Sequence, residues 1–230
     1  MVQVIKAEGL RKSFGEGANQ TEVIKGIEFE VEKGQFVSIM GPSGCGKSTL
    51  LYLLGGLDTP SSGTVLIENK NIFDMSDRKR SKLRCNKLGF VFQFYNLVQN
   101  LTVEENILLP LKMMNKSVKS NAYTQKLAEI LEIVNLSDKK KLYPNQLSGG
   151  QQQRVAIARA VINEPAIILA DEPTGNLDSE NGKIVMELFR EINKKKGITI
   201  VQVTHDEEKV AYGNRLIRML DGKICEDTML

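Results

Sequence analysis

Residues 35–57, QFVSIMGPSGCGKSTLLYLLGGL, decide how this 230-residue chain folds. The apolar run QFVSIM is rich in strand formers. It leads directly into a glycine-rich turn, and the helix-forming stretch KSTLLYLLGGL follows. Gly41 to Ser48 fits the phosphate-loop pattern G-x-x-x-x-G-K-[ST], in the strand–turn–helix context that the chemistry requires. Glycines let the backbone wrap closely round a polyphosphate with its N–H groups pointing inward, and the helix N-terminus adds a favourable dipole. Lys47 can reach β- and γ-phosphates, and Ser48 can ligate Mg²⁺. The plain alternative is a glycine-rich turn with no ligand. Cys45, inside the loop, reads as a small filler residue, although a helix start can lower a thiol pKa.

Outward from this stretch the chain alternates strands and helices. VQVIKAEGL (2–10) and VIKGIEFEVEKG (23–34) alternate apolar and polar residues around the turn-rich GEGANQ, and TVLIEN (64–69) reads as another strand. SDRKRSKLRCNK (76–87) reads as a short basic helix. LGFVFQ is a strand ending at Gln93. From about residue 102 the character changes. LTVEENILLPLKMMNK carries helix formers broken by Pro110. Leu127, Ile130, Leu131 and Val134 share one helix face, and GGQQQRVAIARAVI reads as a helix. Strand AIILAD, helix SENGKIVMELFREINKK and strand ITIVQVTHD follow. RLIRMLDGKICE closes the chain as a hairpin turning at Asp221-Gly222. The pattern predicts a mostly parallel α/β core with a helical insertion.

Composition narrows the function classes. Hydrophobic residues make up 41% and charged residues 26%, which fits a globular domain and excludes disordered or collagen-like chains. A net charge of +3 falls short of a dedicated nucleic-acid binder, so no nucleic-acid partner is expected. Cys45, Cys85 and Cys225 are far apart and odd in number, which argues against a disulfide framework or zinc site and for a reducing compartment. The N-terminus lacks an apolar signal region. No run of about 18 apolar residues exists, so spanning helices, if the protein works at a membrane, belong to another chain.

Two further stretches carry chemistry. Ile167 to Glu172 is an apolar strand ending in two acids. Beside a phosphate site, Asp171 can hold Mg²⁺ and Glu172 can act as general base toward water; alone, the pair is an ordinary strand exit. Leu147-Ser148-Gly149-Gly150-Gln151, followed by Gln152, Gln153 and Arg154, opens a helix with a hydroxyl and two glycine N–H groups. That makes it a second candidate anion site, or simply a serine cap followed by flexible glycines.

In these motifs the chain resembles the ATP-binding-cassette ATPases, over essentially its whole length. GPSGCGKST is similar to their Walker A, LSGGQ to their signature, IILADE to their Walker B and GNLDS to their D-loop. Gln93 stands at the Q-loop position, His205 in VTHDEE at that of the switch histidine, and Phe14 in RKSFG at that of the adenine-stacking aromatic. FVFQFYNL, LTVEENILLPL, LYPNQLSGGQQQRVAIARA and LADEPTGNLDS resemble the branch serving lipoprotein release, macrolide export, antimicrobial-peptide resistance and cell division. Phe94 departs from the second glutamine that many relatives carry after Gln93.

The resemblance implies a P-loop NTPase (RecA-like) α/β fold with an N-terminal antiparallel β subdomain. Residues 1–93 and 164–230 would form the core, and 94–163 a helical subdomain carrying the signature. It implies ATP and Mg²⁺, with nucleotide held by Phe14, Gly41, Ser43, Gly44, Cys45, Gly46, Lys47, Ser48, Thr49, Gln93, Asp171, Glu172 and His205. Ser148, Gly149, Gly150 and Gln151 would serve the ATP of a second copy in a head-to-tail dimer. Ser48, Gln93 and Asp171 would hold the metal. Glu172 would be the base, assisted by Lys47, Gln93 and His205, and Asn176 and Leu177 would touch the second copy. Asp178 reads as an acid at a helix start. The implied activity is ATP hydrolysis that powers a separate permease, for export or extraction of a peptide, lipoprotein or macrolide-type drug. The chain would sit on the cytoplasmic face of the plasma (inner) membrane through that permease. Two rival readings are an ATP-driven signalling module on an envelope partner and a soluble ATPase of DNA repair or translation; the latter's long insertions or tandem cassettes do not fit in this length. Arg78, Lys79, Arg80, Lys82, Arg84 and Lys87 form a basic cluster, read either as a lipid-headgroup contact or as a solvated helix face.

Overall fold

The computed structural model describes residues 2–114, 116 and 121–230. Strands β1 (Gln3–Phe14) and β2 (Thr21–Glu32) form a long antiparallel pair whose alternating burial follows the alternating sequence. Strand β3 (Phe36–Met40) is buried at every position, as a central strand covered on both faces must be, and helix α1 (Lys47–Leu54) follows the phosphate-loop residues. Strands β4 (Ser62–Ile67) and β5 (Lys70–Asn71) complete an antiparallel sheet in the order β2-β1-β4-β5. The basic helix α2 (Asp77–Lys87) buries none of its residues, and β6 (Leu88–Phe92) follows it.

Helices α3 (Val103–Met113), α4 (Asn121–Ile133) and α5 (Gly149–Val161) occupy the middle of the chain. Pro110 does not break α3, contrary to the sequence reading; it sits inside the helix. Val103, Ile107 and Leu111 are fully buried on both sides of it. Proline removes one helical hydrogen bond, and the apolar face on either side holds the helix through that loss. A reciprocal box between Thr102 and Glu105 fixes the start. Asn115, near the tail of that stretch, lies outside the described residues.

Strand β7 (Ile167–Asp171), helix α6 (Ser179–Lys196), strand β8 (Thr199–Thr204), the short helix α7 (Glu207–Val210) and strands β9 (Arg215–Leu220) and β10 (Lys223–Met229) complete the chain. The second sheet runs β10-β9-β3-β8-β7-β6. All its neighbours are parallel except β10 on β9. One apolar cluster joins the antiparallel sheet to α1 and the face of β3, β7, β8 and β9 beneath it; another joins the opposite face to α3, α4, α5 and α6. No described helix is long and apolar enough to cross a membrane.

The closing hairpin turns at Asp221 and Gly222, both with positive φ (47° and 79°), as an Asp-Gly two-residue turn requires. Gly222 also joins three parts of the molecule. Its carbonyl accepts from Lys25 N of β2 at 2.9 Å, and its N–H donates to Cys45 O of the phosphate loop at 3.2 Å. A β-carbon there would overlap the Val23 carbonyl oxygen. Gly222→Ala is expected to lower stability by about 1–3 kcal/mol, read as a shifted urea midpoint.

Candidate functional site

The phosphate loop is shaped by what presses on it. Gly41 leaves β3 so close to β9 that a β-carbon would overlap the Met219 carbonyl oxygen. Gly46, at φ 102°, caps α1, and a β-carbon there would lie 2.9 Å from Ile24 and 3.0 Å from the Val23 carbonyl oxygen. No side chain caps α1, so the helix opens on backbone N–H groups alone. The Lys47 ammonium is buried and donates to the carbonyls of Gly41 (2.8 Å) and Pro42 (2.9 Å), across the span of the loop. Ser43 and Gly44 are exposed, and Thr49 is half-buried. Cys45 is buried in the apolar cluster, in keeping with a filler role.

The end of β7 meets this helix. Ser48 Oγ donates to Asp171 Oδ1 at 2.7 Å, and Tyr52 OH donates to Asp171 Oδ2 at 2.6 Å. Four residues separate Ser48 from Tyr52, so the two hydroxyls stand one helical turn apart on one face and hold both carboxylate oxygens. Burial, with Asp171 adding to it, pushes the Tyr52 phenol up to about 12. A serine hydroxyl beside one carboxylate is a hard-oxygen donor set that fits Mg²⁺, which binds through few protein ligands together with substrate phosphates. Among the described residues no three acids, histidines or cysteines gather into an all-protein metal cage.

The next residue, Glu172, turns out of the sheet with φ 43°, a strained conformation for glutamate. Its N–H still bonds Val203 O at 3.1 Å, which ties it to β8, and its carboxylate Oε2 lies 3.3 Å from His205 Nδ1 beyond the end of that strand. The exposed His205 and the less exposed Glu172 therefore form a pair at the neighbouring ends of parallel strands. Gln93, just past β6, donates through Nε2 to Asn176 Oδ1 at 3.2 Å, and Asn176 Nδ2 returns a bond to Gln93 O at 3.1 Å. Gly175 fits between them, since a β-carbon there would come within 2.8 Å of Gln93 and 3.3 Å of Glu172.

Ser148 opens α5 with a capping box. Its hydroxyl accepts from Gln151 N at 3.3 Å, and its N–H donates to Gln151 Oε1 at 3.0 Å. Gly149 lies against the Tyr95 hydroxyl. Gly150 lies so close to Asn181 of α6 that a β-carbon would overlap its Oδ1. Asp178 caps α6 by accepting from Asn181 N at 2.8 Å, and that bond holds its carboxyl below the usual range. Leu177 packs against the apolar cluster of the helices. Phe14, 47% exposed at the end of β1, presents its ring with the Lys12 ammonium 4.9 Å from the centroid. Hydrogen bonds thus unite Ser48 with Asp171 and Gln93 with Asn176, and Glu172 Oε2 stands 3.3 Å from His205 Nδ1. Ser148 bonds to Gln151 within its own cap.

Sequence reasoning missed three supporting groups. Tyr52 had a legible signal, a lone hydroxyl one turn after Ser48 in an apolar helix. Tyr95 and Asn181 had none, because their contacts with Gly149 and Gly150 arise only from packing.

Comparison with known proteins gives the family of the chain. The family described as ABC transporter matches residues 24–175. The lipoprotein-releasing system ATP-binding protein LolD of Aquifex aeolicus is 46% identical over 224 residues, covering 97% of each chain. The macrolide export ATP-binding/permease protein MacB of Aggregatibacter actinomycetemcomitans is 45% identical over 227 residues, covering 99% of this chain but 35% of that longer one. The dimeric post-hydrolysis structure of the ATP-binding cassette MJ0796 from Methanocaldococcus jannaschii, bound to ADP and Pi, superposes with a TM-score of 0.90 at 42% identity, covering 98% of each chain.

The raised Tyr52 phenol makes stability pH-dependent. The contribution of the protonated group is complete below the ordinary tyrosine value of 10.0 and is lost as pH rises toward about 12. Tyr52→Phe should flatten that part of the wild-type curve of melting temperature against pH, and the difference between the two curves isolates this one tyrosine.

Proposed function

The chain belongs to the ABC transporter family, and from that membership we propose that it binds ATP, hydrolyses it to ADP and phosphate, and so drives a separate membrane permease. The observation that carries this reading is the convergence of strand ends on the phosphate loop: Asp171 bonded to Ser48, with Glu172 and His205 paired beside it.

In this reading the N–H groups of Gly41–Ser48 and the start of α1 cradle the β- and γ-phosphates, and Lys47 leaves its loop carbonyls to pair with their charge. Phe14 offers adenine its ring face. Ser48, Asp171 and the amide oxygen of Gln93 would hold Mg²⁺, which neutralises charge on the phosphates when bound. Glu172 accepts a proton from water as its oxygen attacks the γ-phosphorus and the bond to the β-phosphate oxygen breaks, with the electron pair leaving on ADP. His205 holds the Glu172 carboxylate and donates toward the charge developing on the γ-phosphate. The positive φ at Glu172 takes the residue out of the strand and sets its carboxylate beside His205.

A second copy completes the site. Ser148, the N–H groups of Gly149 and Gly150 and the side-chain amide of Gln151 reach the γ-phosphate held by the partner subunit, and Asn176 and Leu177 line the seam. Residues 94–163 act as the helical subdomain that carries this surface, joined to the core 1–93 and 164–230. The likeness to LolD and MacB supports export or extraction of a peptide, lipoprotein or hydrophobic drug. It also supports a place on the cytoplasmic face of the plasma membrane, held there by the permease.

Glu172→Gln keeps the side chain's size but cannot take the proton. Turnover is expected to fall about 10²- to 10⁴-fold. ATP should then trap a dimer of twice the monomer mass by light scattering, and ADP should not. A monomer at saturating ATP, or equal dimerisation with ADP, would contradict the reading. Ser148→Arg should leave monomer ATP affinity intact and abolish turnover, since the added bulk meets only the second copy. Poor ATP binding by that monomer would place Ser148 in its own site instead.

A further inference from the structure

Gln153 lies in the second turn of α5 and is completely buried (0% exposed). Its Nε2 donates to Pro173 O at 2.6 Å and to Phe92 O at 3.3 Å. Those two carbonyls flank the hydrolytic groups: Phe92 immediately precedes Gln93, and Pro173 immediately follows Glu172. Phe92 also stands opposite Asp171 in the register of β6 on β7. One amide thus ties the signature helix to the ends of both strands where each leaves the sheet.

The cost of this arrangement shows that packing alone does not explain it. Gln153 Oε1 is buried with no hydrogen-bond partner among the described residues. A methionine or leucine would fill the space without that penalty. What glutamine supplies is the pair of N–H donors. Phe92 O already accepts from Tyr95 N at 3.2 Å. The Pro173 carbonyl lies past the left-handed turn at Glu172, where the strand ladder has ended. Arg159, one and a half turns further along α5, adds bonds to Asn96 O (2.6 Å) and Tyr95 O (2.9 Å). The helix therefore holds the backbone on both sides of Gln93.

We propose that Gln153 is a positioning residue that sets the register of the signature helix against Glu172 and Gln93, so that docking of its Ser148 end on the partner subunit's nucleotide reaches the hydrolytic groups of its own subunit. The inference rests on the ATPase reading and adds to it a link between the two nucleotide sites. Gln153 touches no reacting atom; it acts through the backbone at 92 and 173.

The test compares wild type, Gln153→Met, which keeps length but has no donor, and Gln153→Asn, which keeps the amide but is shorter. Steady-state ATPase and monomer ATP affinity are measured alongside hydrogen exchange of peptides covering 92–96 and 172–176. The expected result is a kcat lower by about ten- to a hundredfold with monomer ATP affinity unchanged. Exchange should quicken in both strand-exit peptides while the α5 peptide stays protected. Should Gln153→Met fail to fold, Gln153→Asn carries the same expectations. Wild-type kcat per folded molecule in a folded variant, or faster exchange confined to α5, overturns the positioning role and leaves the ATPase reading standing. No turnover in wild type sinks the ATPase reading, and the proposal with it.

Discussion

The Asp171 carboxylate is the constraint on which the rest of the site depends. It ends a strand buried at every position and accepts hydroxyls from two successive turns of α1, Ser48 on one oxygen and Tyr52 on the other. A buried carboxylate without donors would be costly, and these two bonds remove most of that cost while fixing α1 against β7. The nearest parts of the site are arranged around this joint. The phosphate loop lies before α1, Glu172 lies one residue beyond Asp171, and β6 and β8 flank β7.

The exits of the three neighbouring strands are where the chain departs from regular structure. Gln93 leaves β6 and bonds Asn176, Glu172 leaves β7 with a positive φ, and His205 leaves β8 beside the Glu172 carboxylate. Ligands of open parallel sheets collect at the carboxyl ends of the strands, where side chains are no longer committed to the ladder. The strain at Glu172 is held by its bond to Val203 and by Gly175, whose missing side chain leaves room for Gln93.

The two helix starts are built differently. α1 begins at Gly46, which offers no side-chain cap to its first N–H groups. α5 begins at Ser148 with a reciprocal box to Gln151, so its first turn holds itself together and presents a preformed face. The first start leaves its opening N–H groups without a side-chain cap, and the second is seated on Tyr95 and Asn181.

Much of this was legible in the sequence, because it is written in local chemistry. The glycine spacing of residues 41–48, the strand before it, the helix after it and the Asp-Gly turn at 221–222 all follow from what each residue permits the backbone to do. The paired acids at 171 and 172 and the serine–glycine helix start at 148 were visible for the same reason. Pro110 misled, because proline's local cost is real but the buried face around it outweighs that cost. The pairing of β9 with β3, the grip of Tyr52 on Asp171 and the bonds of Gln153 to residues 92 and 173 could not be read from sequence. These contacts join residues 20 to nearly 180 positions apart. Sequence spacing says which atoms a backbone offers; only the packing of both sheets and the helices decides which of them meet.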